Sequence, residues 1–383
     1  MRKVLIVTPN LSTGGTNSSL ASVYDALKDI YEIDVFAMSH HGHATGSFRD
    51  KLLKEYKILS IWNSVYNELE SPLDRILATC IKILKRLSLK FGLHTEDKLY
   101  RRVLRRLHSK DYDCIIGFQE GSSTKFVSLS ECHYKLAWVH CDYSNWHPVI
   151  KSEERETYRK IDQVVCVSEY TSLVFNSIFR LANPSISINN IQDIATIKRL
   201  ATEKIVDTLW DVHSYNIISV GRINPVKHFR EIPEIANLLR NSGYQFKWYL
   251  IGPEFSSGEM QKIRDGIIKY NLQEYVIYMG SKTNPYPYFA NADLYVCLSE
   301  SEACPMVFNE AKCFGTPVVS TDFGSSYEFI TSIDEGKIVA RERLPETIST
   351  FISKGRITHI LSDAVEQNNK NILSKLINIL NMK

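Results

Sequence analysis

No apolar run in this chain approaches the roughly 20 residues that a helix needs to cross a membrane. The first residues, Met1-Arg-Lys-Val-Leu-Ile-Val-Thr, enter a strand pattern at once and lack the architecture of a signal peptide. The eight cysteines never form a Cys-x-x-Cys pair, and Cys114, Cys166 and Cys297 lie inside apolar, strand-like runs. They read as reduced thiols rather than a disulfide framework. No Gly-x-Gly-x-x-Gly follows the first strand, which argues against an NAD-dependent enzyme. Internal repeats and low-complexity tracts are also missing. The expectation is a globular protein of the cytoplasm.

At 383 residues the chain is longer than one core usually organises, so two domains are expected. Short β-branched runs alternate with helical patterns, the signature of parallel α/β layers. In the first half the strands are read at 3–8, 33–38, 57–60, 114–118, 136–139 and 164–167. In the second half they are read at 216–220, 247–251, 276–279, 294–298 and 317–320. A polar, Pro-containing passage, Asn183 to Ile191, separates the sets and predicts domains over 1–190 and 191–360. The closing segment 361–383 holds an amphipathic helical pattern from Leu361 to Leu380.

The net charge of +3 conceals an asymmetry. Residues 71–110 carry eleven Lys/Arg against Asp74, Glu96 and Asp97, a local charge of +8 that leaves the rest of the chain at −5.

In open α/β sheets ligands bind beyond the carboxyl ends of the strands, so the residues after each strand matter most. The richest of these stretches is Ser299 to Ala311, where Glu302 and Glu310 bracket seven residues. A buried strand reads before it, and a helix from Met306 to Phe314 after it, with Pro305 at the first helical position. Glu302 then lies just before a helix N-terminus and Glu310 about one turn inside. A helix start offers free N–H groups and partial positive charge, a seat for an anion. Two carboxylates beside that seat suit a ligand with both phosphate and hydroxyls, such as a sugar nucleotide.

Other strand ends carry compatible chemistry. Gly14-Gly15 lets backbone approach a diphosphate, although a tight strand-to-helix turn needs glycine as well. Gly221-Arg222 and Lys227 place two cations where they can stabilise a departing diphosphate, or form a solvated pair at a helix start. His140 ends a strand and either meets a ligand or fills the core. Asp142 and Glu120 are weaker candidates in neighbouring loops. Gly252-Pro-Glu254 and Gly280-Ser281-Lys282 follow two further strands.

Glu302, Pro305, Glu310, Ala311, Gly315 and Pro317, with Ser299 and Asp293, resemble the donor-binding signature of the retaining family-4 glycosyltransferases of GT-B fold. The Gly-Gly opening, the His140 loop and Gly221-Arg222…Lys227 are similar to elements of the same family, in the same order. One departure is Ala303-Cys304, where members often have Gly after the first Glu. The resemblance implies two Rossmann-like domains facing across a cleft, with the last helix crossing back to the first. It implies retaining transfer of a hexose-type sugar from a nucleotide diphosphate sugar, UDP-sugar favoured, to a bacterial surface glycan or lipid-linked glycan. Glu310 would hold the ribose, Glu302 the donor sugar, Arg222 and Lys227 the diphosphate, and His140 the sugar or acceptor. Gly14, Gly15, Gly252, Ser281, Lys282, Pro305, Met306 and Val307 would line the donor. No cofactor is implied. Two alternatives are a sugar-nucleotide epimerase of the same fold and a catalytically silent nucleotide-sugar-binding subunit.

Two patterns imitate metal sites. His40-His41-Gly-His43 has no cysteine or carboxylate tied to it and reads as a polar loop. Asp111-Tyr-Asp113 precedes its strand, at the end opposite the ligand edge, so no metal ligand is assigned. In 71–110 a capping pattern, Ser71 to Asp74, opens an apolar stripe through Leu73, Leu77, Leu84 and Phe91, and Arg101, Arg102, Arg105 and Arg106 follow on a second helix. This basic amphipathic pair fits the anionic inner face of a membrane, or an ordinary surface helix packed on its own domain. No nucleic-acid module accompanies the charge, and nucleic acid is not an expected partner.

Overall fold

The computed structural model describes residues 1–11, 14–39, 58–60, 95–146, 152–356 and 364–382. The histidine run 40–43 and the amphipathic stretch 71–91 lie outside the described residues. Two compact units emerge, Met1–Gln192 with Ile372–Lys383, and Asp193–Asn371. The last helix, Ala364–Leu380, contributes to both: Val365 packs in the core of the second unit, while Tyr31 donates a 3.1 Å hydrogen bond to the Asn381 side chain in the first.

Among the described residues the first unit holds strands β1 (Lys3–Asn10), β2 (Glu32–Ser39), β3 (Ile58–Ser60), β4 (Cys114–Gly117), β5 (Lys135–Val139), β6 (Gln163–Cys166) and β7 (Ile186–Ser187). The second holds β8 (Asn216–Val220), β9 (Lys247–Ile251), β10 (Val276–Gly280), β11 (Leu294–Cys297), β12 (Val318–Thr321) and β13 (Gly336–Val339). Among the described residues all strand neighbours pair in parallel, in the orders β3-β2-β1-β4-β5-β6-β7 and β10-β9-β8-β11-β12-β13.

Period-two alternation explains how each sheet is buried on both faces. In the second unit Ile217, Trp248, Leu294 and Val296 enter one core, and their chain neighbours Ile218, Tyr249, Tyr295 and Cys297 enter the other. Helices cover both layers, which is why these strands read as unbroken apolar runs. Two strands escaped the sequence reading. β7 is two residues long inside the passage read as a linker, and β13 presents an edge with few apolar residues. Both are edge strands, so a continuous apolar run is not required of them.

Strand order reverses between β1 and β4 in the first sheet and between β8 and β11 in the second. At such a reversal the helices leave the two central strands in opposite directions, which opens a crevice beyond their carboxyl ends.

Candidate active site

In the second unit the reversal falls between the loops that begin at Gly221 and at Leu298. Lys227 ends the short turn Pro225–Lys227, where the Asn224 side chain accepts its N–H at 3.1 Å. Its ammonium reaches across to form an ion pair with the Glu302 carboxylate. Ser299 donates to the same carboxylate oxygen at 2.7 Å, and Ser325 donates to the Glu302 carbonyl at 2.6 Å. Burial pushes the Lys227 pKa down, but the Glu302 charge more than reverses this and holds it above the usual lysine value.

Glu310 lies on the helix Met306–Lys312. Among the described residues, no hydrogen bond or ion pair engages its carboxylate. Burial pushes its pKa up to about 7, a rise opposed by the nearby charge of Lys227. The Tyr286 hydroxyl feels the Glu310 charge as well, and its pKa is raised, first by burial and then by that charge.

Gly252 brings the neighbouring loop in. It has φ +148°, and a Cβ there would sit 1.9 Å from the Gly221 carbonyl oxygen. Only glycine allows this approach. Its N–H in turn donates to Gly280 at 2.9 Å, so the ends of β8, β9 and β10 lie side by side. Arg222 is exposed, with its guanidinium 5.3 Å from the Phe255 ring centre.

Several expectations need correction. Pro305 immediately precedes the helix instead of occupying its first position, and the helix stops at Lys312, two residues short of Phe314. Phe314 instead closes a tight turn onto Ala311 at 3.0 Å, and Gly315 follows with φ +67°. Lys282 is engaged by Asp207 at 2.6 Å and stands near the Tyr288 ring, while Ser281 is exposed beside it. Val307 and Cys304 turn toward the core, leaving Met306 half-buried at the helix start. Asp293, Gly315 and Pro317 of the signature belong to the opposite edge. Asp293 accepts the Asn216 N–H at 2.7 Å at the start of β8, and Pro317 accepts the Tyr295 N–H at 2.9 Å. They join strands and touch no ligand edge.

The first unit gathers its candidates at its own reversal. Gly14 precedes the helix Gly15–Leu27, with open space where a Cβ would stand. His140 follows β5, its ring stacked near Phe118 and Trp138 at 5.0 and 6.2 Å. Among the described residues its Nε2 is buried with no hydrogen-bond partner, and burial lowers its pKa to about 3. The His140 backbone N–H donates to Glu120 at 2.9 Å; burial raises the Glu120 pKa against that bond. Asp142 is a helix cap, accepting from the Ser144 N–H at 2.9 Å and hydroxyl at 2.6 Å. Asp113 accepts the Lys3 N–H at 2.7 Å at the amino end of β1, away from the ligand edge. Among the described residues no three metal-ligating side chains gather.

Sequence reasoning missed Thr321, Ser325 and His228. Thr321 donates to the Ser299 carbonyl at 2.6 Å, so the end of β12 supports the Glu302 loop. The polar stretch after Val318–Thr321 carried the same strand-end signal used elsewhere in the chain.

These two parallel α/β units, with a cation–carboxylate pair at a sheet reversal, have the architecture of the GT-B fold. Residues 201–371 match the family model described as glycosyl transferases group 1. It is similar to an uncharacterized glycosyltransferase of Methanocaldococcus jannaschii, 24% identical over 43% of this chain and 41% of the relative. It is also similar to the amylovoran biosynthesis glycosyltransferase AmsD of Erwinia amylovora, 22% identical over 58% of this chain and 63% of that protein. The chain thus spans less than two thirds of these curated relatives. HepE of Anabaena in complex with UDP and glucose shares the fold with TM-score 0.69 and 15% identity, covering 99% of this chain and 100% of HepE. A TarM variant of S. aureus in complex with fondaparinux, α-GlcNAc-glycerol and UDP gives TM-score 0.73 and 15% identity over 100% of both chains.

Proposed function

We propose that this protein transfers a hexose-type sugar from UDP-sugar to a glycan or lipid-linked glycan, with retention at the anomeric carbon. The observation that carries this reading is the Lys227–Glu302 pair beside the unpartnered carboxylate of Glu310. Lys227 and Glu302 satisfy each other. A bound diphosphate would compete for Lys227 and release Glu302 to accept hydrogen bonds from sugar hydroxyls. Glu310 would accept the ribose hydroxyls, and Arg222 would add the second cation. The backbone at Gly252, Met306 and Val307 would line the donor, with Ser281 and Lys282 at its margin. The occupants of HepE and TarM, UDP among them, support the choice of nucleotide.

Retention needs no protein nucleophile in this scheme. The acceptor hydroxyl attacks from the face that the diphosphate leaves, a phosphate oxygen takes its proton, and Arg222 and Lys227 stabilise the charge that develops. Two cations make a metal ion unnecessary, so transfer should persist in excess chelator. A cytoplasmic position at the inner membrane face is part of the proposal, through the exposed Arg101, Arg102, Arg105 and Arg106. Among the described residues no helix is long and apolar enough to cross a membrane.

Thermal unfolding with a panel of nucleotides and nucleotide sugars tests the reading. A ligand at a hundred times its Kd stabilises by about 2.7 kcal/mol. UDP and one UDP-hexose should raise Tm, and that UDP-hexose should label a glycan acceptor. A response to no uridine nucleotide would remove the proposal.

A further inference from the structure

We infer that His228 is a positioning residue that locks the cation loop to the carboxylate loop, an inference that rests on the transferase reading above. His228 directly follows Lys227 and has φ +52°. This left-handed conformation is uncommon for a residue with a side chain, and such positions persist where surrounding contacts demand them. Here the contacts are visible. Its Nδ1 lies 2.6 Å from Glu231 Oε1, and its Nε2 lies 3.2 Å from Glu300 Oε2. Arg230 stands 3.1 Å from Nδ1 and is itself bound to Glu259 at 2.8 Å; Glu231 is held from its other oxygen by Arg341 at 2.8 Å.

The two carboxylates come from different segments. Glu231 lies three residues along the same stretch of chain, whereas Glu300 belongs to the loop after β11. That loop is joined to the first one by the Glu300 N–H, which donates to the Val226 carbonyl at 2.9 Å. The His228–Glu300 contact adds a side-chain link next to this backbone link. Lys227 and Glu302 lie on the two loops so joined. The place of Lys227 depends on the register of the two loops, and the imidazole contact with Glu300 ties that register.

A positioning role predicts a loss in rate more than in donor affinity, because a small misplacement of a charge weakens the transition state first. His228→Asn tolerates the left-handed backbone but cannot reach both carboxylates. Glu300→Ala removes the other end, and with the Glu300 side chain 68% exposed it leaves the fold unstressed. Each should lower kcat about tenfold with the donor KM within about twofold. The double variant should be no slower than His228→Asn, since both changes break one link. Glu300→Gln, whose amide oxygen still accepts, should recover most of the rate. Amide hydrogen exchange gives a readout independent of turnover: both 222–227 and 299–302 should exchange faster in His228→Asn. Unaltered kcat in Glu300→Ala, additive losses in the double variant, or faster exchange confined to 225–231 would each overturn the inference. A wild-type protein that transfers no sugar would sink the transferase reading, while the exchange result would still decide whether His228 joins the loops.

Discussion

Lys227 and Glu302 meet as an ion pair across the point where the strand order of the second sheet reverses. Both side chains are mostly buried, at 19% and 16% exposure, so neither charge is well hydrated. A pair held this way is costly to break without a replacement partner. On the proposed reading, a diphosphate with sugar attached would supply one for each group. The pair keeps both charges in place.

Removing the cations should then cost rate. Lys227→Ala and Arg222→Ala should each lower transfer by about two to three orders of magnitude, the scale of losing one electrostatic stabiliser. Steady-state kinetics on the purified variants measures it, and near-normal rates in both would take these residues out of the mechanism.

Glu302 and Glu310 should separate by what they bind. Glu310→Ala should weaken free UDP and UDP-sugar alike, because the ribose is common to both. Glu302→Ala should spare free UDP and chiefly reduce the rate. Calorimetry with UDP resolves the two; equal losses of affinity would contradict the assignment.

Glu310 also sets a pH dependence. Its pKa rises from 4.5 unfolded to about 7 folded, through burial. A raised folded-state pKa contributes stability below about pH 4.5 that is lost as pH climbs through about 7. The free protein should therefore lose stability across this window, and Glu310→Gln should flatten that part of the profile. Nucleotide affinity should run the other way, increasing from pH 6 to 8 as the carboxylate ionises and accepts ribose hydroxyls. Affinity that stays level with pH would place the ribose elsewhere.

Much of this was legible before any coordinates, for a physical reason. Parallel strands buried on both faces leave continuous apolar runs, and polar residues must begin where the strand leaves the core. Gly221, Glu302 and His140 stand at strand ends, where that rule directs attention. The same rule passed over Thr321, although it stands at an equivalent strand end. Asp293, Gly315 and Pro317 lie at the opposite edge from Glu302, and spacing along the chain does not show which edge of a sheet a residue occupies. Lys282 was read as a donor contact without its partner Asp207, which lies 75 residues away. The clamp at His228 was hidden for a related reason, since its second carboxylate is 72 residues distant.

His140 should remain neutral throughout the working range, because burial lowers its pKa to about 3. It can then exchange a hydrogen bond with a hydroxyl through its unpartnered Nε2, but it cannot supply a permanent positive charge. Its ring resonances should not titrate between pH 5 and 8, and His140→Ala should reduce transfer while leaving UDP affinity close to wild type. A histidine titration assigned to this ring would show a hydrated or ion-paired environment instead.

The basic helix Thr95–Arg106 makes the final prediction sharper than its sequence did. Tyr100, Val103 and Leu104 are buried in the core of the first unit, whereas Arg101, Arg102, Arg105 and Arg106 are exposed. This helix can therefore offer charge to a surface but cannot insert its apolar face. Binding to anionic vesicles should be electrostatic, at about 1 kcal/mol per basic residue near the surface, and confined within a Debye length. Co-sedimentation should occur at low salt, require anionic lipid, fade near physiological ionic strength, and disappear when the four arginines are changed to serine. Binding that survives high salt would point to apolar insertion from another segment. No binding at low salt would direct the search toward a soluble glycan acceptor.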